Sequence, residues 1–110
     1  MKKFLITITT ILVTQTASAQ WFTGTIKSIH SGPQYNGWMF IETSHPSDGK
    51  DSCQTNENFE YAFDAKSDEG KLYASILLTA YTAQKTVNLK STGSSCTRYG
   101  VADLENLTIK

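Results

Sequence analysis

The spacing of apolar and polar residues after the first twenty positions predicts five strands and one helix. The strand segments are rich in β-branched and aromatic residues or alternate apolar with polar side chains, as strands do. Between the third and fourth segments the apolar residues recur every three to four positions, which is the period of a helix that packs on a core. The predicted strands cover 21–30, 38–43, 59–63, 86–90 and 101–109, and the predicted helix covers 71–83.

The predicted helix has a marked beginning and one apolar face. Ser67 is a suitable N-cap, and the acids Asp68 and Glu69 after it suit the positive end of a helix dipole. Gly70 favours a first helical residue just after it, because glycine costs up to about 1 kcal/mol inside a helix. The residues expected to face the core are Leu72, Ile76, Leu77 and Ala80.

The element order β-β-β-α-β-β is the order of the OB-fold, a small Greek-key barrel. We therefore expect a mainly β protein with a five-stranded barrel and one helix, between strands three and four, that closes one end. Two irregular spacings, Ile26 to Ile29 and Leu104 to Leu107, predict a bulge in the first and in the last strand. An α+β sandwich with the same element order is the alternative fold.

The N-terminal segment has the organisation of a secretory signal peptide. Two lysines precede an apolar run at 4–13 that is too short to span a bilayer, and Ala17-Ser18-Ala19 forms a small-x-small cleavage site. We expect a signal peptide at 1–19, a single domain at 20–110 and a secreted or periplasmic protein. The alternatives for this segment are a buried N-terminal strand and a membrane anchor.

The two cysteines, Cys53 and Cys96, are an even number in a chain expected to be exported, which predicts a disulfide. Two free thiols or a pair of metal ligands are the alternatives. Only His30 and His45 could add imidazole ligands, and no CxxC or HxxxH spacing is present, so we expect neither a metal nor another cofactor. These histidines flank turn-rich segments and no GxSxG motif occurs, so we expect no enzyme.

The charge of the chain argues against two classes of partner. The full sequence has 10 basic and 10 acidic residues, and loss of Lys2 and Lys3 with the signal peptide leaves two more acids than bases. Nucleic-acid binders usually carry a clustered basic face, and many membrane-surface binders carry a basic amphipathic helix. The sequence has neither pattern, so we expect neither nucleic acid nor membrane as a partner.

A motif over the helix and the strand after it resembles a family of secreted proteins. Residues 64–87 read DAKSDEGKLYASILLTAYTAQKTV, and a Gly/Ser turn and the single cysteine Cys96 follow. This combination resembles small secreted bacterial proteins and, among them, the B subunits of AB5 toxins of the pertussis and subtilase-cytotoxin type. The resemblance covers residues 59–110 and implies an OB-fold, a pentameric ring and binding to a glycan. No glycan-binding residue of that family can be matched to a position here.

Aromatic and polar residues gather in the parts that an OB-fold uses for ligands, after strands one and four and on strand two. Aromatic rings suit the C–H faces of a sugar, and amides and hydroxyls suit its hydroxyl groups. The predicted ligand-binding residues are Tyr35, Asn36, Trp38, Arg98 and Tyr99. For Trp38, a place in the core is an equal alternative.

Together these patterns predict a secreted, non-enzymatic binding module that resembles a toxin B subunit. Its expected partners are a glycan and further copies of itself, in a pentamer if the resemblance extends to assembly. The alternative is a monomeric periplasmic OB-fold protein that binds a small ligand or a protein.

Overall fold

A computed structural model describes residues 21–45 and 51–110. The predicted signal peptide at 1–19 lies outside the described residues. The described part is mainly β, with six strands, one α-helix and one 3₁₀ turn. In chain order these elements are β1 (Trp21–Gly24), β2 (Ile26–His30), η1 (Pro33–Tyr35), β3 (Trp38–Thr43), β4 (Tyr61–Asp64), α1 (Asp68–Ala83), β5 (Val87–Ser91) and β6 (Leu104–Ile109).

The strands form two antiparallel sheets of three strands each, in the orders β1-β5-β6 and β2-β3-β4. The predicted first strand therefore divides at Thr25, and its halves belong to different sheets. The predicted bulge in it is confirmed, since the β2–β3 register shifts between Ile26 and Ser28. A second shift, between β5 and β6, leaves Glu105 as an extra residue, within the predicted bulge of the last strand.

The prediction of a five-stranded OB-fold barrel is wrong, because the two sheets do not close on each other. Within the described ranges, β4 meets the residue before β6 at an isolated parallel bridge between Ala62 and Asp103. The predicted last strand began at 101, but its first residues belong to a loop, and β6 starts only at Leu104. The two edge strands therefore overlap too little to pair along their length.

The main core lies where the inner faces of both sheets meet α1. Helix residues Leu77 and Ala80 are 0% and 1% exposed, as predicted for the inward face. The other buried members of this core are Phe22, Ile26, Ile41, Tyr61, Phe63, Val87, Leu89 and Leu104. Both sheets contribute to this list, so α1 and the core hold them together.

The start of α1 explains why its inward face differs from the prediction. Ser67 is the N-cap, as predicted, and its Oγ accepts a hydrogen bond from Gly70 N–H at 2.9 Å. Gly70 is nevertheless inside the helix. Only glycine fits at this position, because a Cβ there would collide with the carbonyl oxygen of Asp64. This close approach turns the Gly70 side of the helix inward. Leu72 lies two positions after Gly70, which is a rotation of about 200° around the helix axis, so it points away from the core. Leu72 is 65% exposed, and its predicted place in the core is wrong.

The sheet β2-β3-β4 has a second apolar face, directed away from the main core. Side chains alternate along a strand, so Ile41 faces the main core while Trp38 and Phe40 point to the other side. There Phe40 and Ala62 form a smaller buried cluster with Val101. Rings of Tyr35, Trp38 and Phe59 pack against this cluster and are only partly buried. We call this side of the sheet the outer face.

Candidate functional site

Two loops lie against the outer face and are covalently joined. The 51–60 loop leads into β4, and the 92–103 loop leads into β6. A disulfide between Cys53 and Cys96 connects them, which confirms the predicted bond. The closing of a loop with a sequence separation of 43 restricts the unfolded chain and also fixes the two loops relative to each other in the folded chain.

Hydrogen bonds across the two loops add to the covalent link. The N–H groups of Thr55 and Asn56 both donate to Gly100 O, at 2.9 and 3.1 Å. Gln54 Oε1 accepts from Ala102 N–H at 2.5 Å. A ligand that binds between these loops therefore meets a largely preformed surface and loses less conformational entropy than with free loops.

A two-residue turn projects Tyr99 from the 92–103 loop. Val101 N–H donates to Arg98 O at 3.0 Å, and φ is 53° at Tyr99 and 67° at Gly100. This is the pattern of a type I′ turn, in which Asn-Gly and Gly-Gly are preferred. A bulky residue at positive φ costs on the order of 1–3 kcal/mol. The chain thus holds Tyr99 in an unfavourable backbone conformation, with its side chain 60% exposed.

The ring of Tyr99 forms one wall of a cavity of about 280 Å³ on the outer face. The Tyr35–Tyr99 and Phe40–Tyr99 ring centroids are 5.9 and 5.8 Å apart, and the rings meet edge-on or tilted. On the opposite side of the cavity, the ring centroids of Phe59 and Phe40 are 5.4 Å apart. We call this cavity the aromatic pocket, and its lining residues are Tyr35, Phe40, Asn56, Phe59 and Tyr99.

The polar groups of the aromatic pocket are the amide of Asn56 and the hydroxyls of Tyr35 and Tyr99, and none of its lining residues is acidic or basic. The Oδ1 atom of Asn56 accepts from the N–H groups of Asn58 and Phe59, at 2.8 and 3.1 Å, which fixes the amide plane. Its Nδ2 makes one long contact, 3.4 Å, to Tyr99 O. Because an amide nitrogen carries two hydrogens, Asn56 retains a donor for a ligand.

The structure brings some of the predicted ligand-binding residues together and separates others. Tyr35 and Tyr99, from loops far apart in sequence, line the same pocket. Asn36 caps η1 in the left-handed conformation, with φ of 50°, and is exposed beside the pocket without lining it. Trp38 and Arg98 lie next to the pocket as a separate stack, with the guanidinium carbon 5.6 Å from the ring centroid. Binding by these five residues stays a prediction.

Three pocket residues were not among the predicted ones, namely Phe40, Asn56 and Phe59. Phe40 belongs to an almost continuous apolar strand, where the sequence does not show which face a residue takes. Asn56 and Phe59 come from the polar segment before β4, which has no periodicity. The cysteine pairing is the signal that could have found them, because it places this segment beside Tyr99.

A second cavity, of about 160 Å³, lies on the other side of Trp38. Its walls come from β3, β4, the first turn of α1 and the start of β6. The lining residues that bear polar groups are Trp38, Asp64, Ser67, Glu69, Tyr73 and Asp103. We call it the second cavity.

Tyr73 closes the inner side of the second cavity. Burial raises the pKa of its phenol above the usual 10.0, and the carboxylates of Glu69 and Glu105 raise it further, because all three favour the neutral form. The protonated hydroxyl donates to Glu105 O at 2.7 Å. The Tyr73 hydroxyl hydrogen is therefore already in a hydrogen bond within the protein, and the side chain is held in place as a wall of the second cavity.

The described residues contain no helix that is long and apolar enough to cross a membrane. Comparisons of the chain with models of protein families, with curated proteins and with solved structures give no match. The resemblance of residues 59–110 to AB5 B subunits accordingly stays a prediction from the motif.

Proposed function

We propose that the protein is a secreted, non-enzymatic module that binds a glycan in the aromatic pocket. The observation that carries this proposal is Tyr99, a bulky side chain at a turn position that favours Asn or Gly, exposed at the rim of a cavity. Backbone strain that the surrounding structure maintains is typical of functional sites. Packing alone does not account for a tyrosine in this backbone conformation, because most of the Tyr99 side chain faces solvent.

The chemistry of the aromatic pocket suits a sugar better than it suits an ion. The faces of aromatic rings carry partial negative charge, and sugar C–H groups carry partial positive charge, so the two stack favourably. The Asn56 amide and the tyrosine hydroxyls offer the donors and acceptors that sugar hydroxyls need. A small concave site with mostly apolar walls and few fixed polar groups is the usual form of a small-molecule site.

The proposed secretion and self-association have separate support. The disulfide agrees with an oxidising compartment, where such bonds persist. The sequence of residues 1–19 has the pattern of a signal peptide. Leu72 and Leu78 are 65% and 50% exposed on α1. Contacts between copies of the chain would cover such side chains, as in the pentamer that the motif resemblance suggests. The mass of the native protein in solution tests this assembly.

A glycan array followed by titration of the positive glycans tests the proposal. Tyr99→Ala should weaken binding about tenfold, since the stacking of a ligand ring on an aromatic side chain is worth about 1–3 kcal/mol and tenfold corresponds to about 1.4 kcal/mol. Tyr81→Ala is the matched control, because Tyr81 is also exposed but lies on α1, outside the pocket. Binding that persists unchanged in Tyr99→Ala would place the site elsewhere. If no glycan binds, a module for a small apolar ligand or a protein is the better account.

A further inference from the structure

We propose that the second cavity is a further saccharide subsite, so that the ligand is a neutral oligosaccharide spanning both cavities. This inference rests on the proposed function, because it extends the glycan that the aromatic pocket would hold. It names the class of ligand more narrowly, as a chain of at least two uncharged sugar units.

Neighbouring residues of one strand line the two cavities. Phe40 lines the aromatic pocket and Trp38 lines the second cavity. The two residues are two positions apart on β3 and point to the same face, so their Cα atoms are roughly 7 Å apart. This spacing is comparable to the length of one sugar unit, so adjacent units of one chain can reach both cavities.

The 92–103 loop borders both cavities. Tyr99 lines the aromatic pocket, and Asp103 lines the second cavity. Asp103 is held firmly, because its carboxylate accepts from Ser95 Oγ at 2.8 Å and from Thr97 N–H at 3.1 Å. The loop is therefore a border that both cavities share, and hydrogen bonds hold its Asp103 end in place.

Trp38 lines the second cavity and stacks with Arg98, and this cation–π contact is weak enough for a ligand to replace. Arg98 is exposed and makes no ion pair with a carboxylate in the described ranges. A cation over an aromatic ring at an exposed site contributes about 0.5–1 kcal/mol. A sugar ring that displaces the guanidinium from Trp38 regains the lost contact by stacking on the same indole.

The polar groups left in the second cavity match sugar hydroxyls. The indole N–H of Trp38 makes no hydrogen bond to the part of the chain that the structure describes, so it remains a donor. Asp64 Oδ1 accepts from Lys66 N–H at 2.9 Å, and Oδ2 remains an acceptor. The exposed carboxylate of Glu69 is a second acceptor. One donor and two charged acceptors beside an indole ring can orient a hydroxyl-rich unit without requiring charge on it.

A chain-length series tests the second subsite. The probes are the methyl glycosides of glucose, galactose and N-acetylglucosamine as single units, and maltotriose, lacto-N-tetraose and chitotriose as longer chains. For at least one sugar type, the longer probe should bind the wild-type protein about tenfold more tightly than its single unit, with a gain that does not change with salt. Equal affinities for short and long probes of every type would overturn the subsite while leaving the proposed function intact.

Two variants locate the gain. Glu69→Gln should remove most of the tenfold gain and leave single-unit affinity unchanged, and the control below shares its loss of a favourable charge at the start of α1. Trp38→Phe keeps a ring but lacks the indole N–H, and should reduce the gain in the same way. Asp68→Asn is the matched control, a neighbouring acid in the first helical turn that does not line the cavity. A full gain in both Glu69→Gln and Trp38→Phe would contradict the proposal. Binding of none of these probes, together with no positive glycan on the array, would instead refute the glycan function itself.

Discussion

The two faces of the sheet β2-β3-β4 are both apolar, but they are closed in different ways. On the inner face, Ile41 is 0% exposed and Phe63 is 4% exposed, and α1 and the second sheet cover them. On the outer face, Phe40 is buried to a similar extent, yet the rings around it leave a cavity of about 280 Å³. Side chains close most of the inner face, although Phe63 and Leu104 also line the second cavity, and two cross-linked loops frame the outer face. We propose that the inner face mainly stabilises the fold and that the outer face mainly binds the ligand.

The largest expected effect is loss of the bond that frames the outer face. A Cys53→Ala/Cys96→Ala variant should lose about 2–5 kcal/mol of unfolding free energy, as do other small domains that lose a native disulfide. It should also bind more weakly, because the two loops become free to separate. Urea unfolding and titration of the same samples measure both. Wild-type affinity in the Cys53→Ala/Cys96→Ala variant would show that hydrogen bonds alone frame the pocket.

A substitution on the inner face should affect stability alone. Leu77→Ala should cost about 2–5 kcal/mol, because it leaves a cavity in a fully buried site. Glycan affinity of the folded fraction should not change. Thr79→Ala, at another exposed position of the same helix, is the control and should cost less than about 0.5 kcal/mol. A comparable cost at Thr79 would contradict the assignment of the inward face.

The smallest expected effect is at Tyr73. Tyr73→Phe removes the hydrogen bond to Glu105 O and should cost about 0.5–1.5 kcal/mol at neutral pH. The folded-state pKa of Tyr73 is raised, so the folded chain keeps a proton that the unfolded chain releases near pH 10.0. The stability of the wild-type protein should then fall as pH rises through that range, and its advantage over the variant should shrink. Unfolding at neutral and alkaline pH compares the two, and an advantage that does not shrink would contradict the assigned direction.

The sequence predicted local features better than it predicted how they assemble. Ser67 as N-cap, the bulge near Ser28 and the Cys53–Cys96 bond depend on nearby residues or on a simple count, and all three are confirmed. The closed barrel was wrong, because strand pairing depends on where β4 and β6 start relative to each other. Local patterns do not contain that distance.

The inward face of α1 shows the same limit within one helix. The spacing of leucine, isoleucine and alanine favoured Leu72 as a core residue, but close contact between Gly70 and the Asp64 carbonyl sets the orientation. In the candidate site, Tyr35 and Tyr99 were identified from residue type in loops, where exposed aromatics are informative. Phe59 was not, because only the folded chain shows that the 51–60 loop lies beside Tyr99.

The central claim is that Tyr99 occupies a strained turn position for binding and not for folding. Tyr99→Asn tests it directly, because Asn accepts positive φ and is preferred in this turn. Relief of strain should offset the lost ring contacts, so the unfolding free energy should stay within about 1 kcal/mol of the wild-type value. Affinity for the glycan identified on the array should fall about tenfold in the same samples. A variant that is strongly destabilised, or that binds the glycan as the wild-type protein does, would contradict the account.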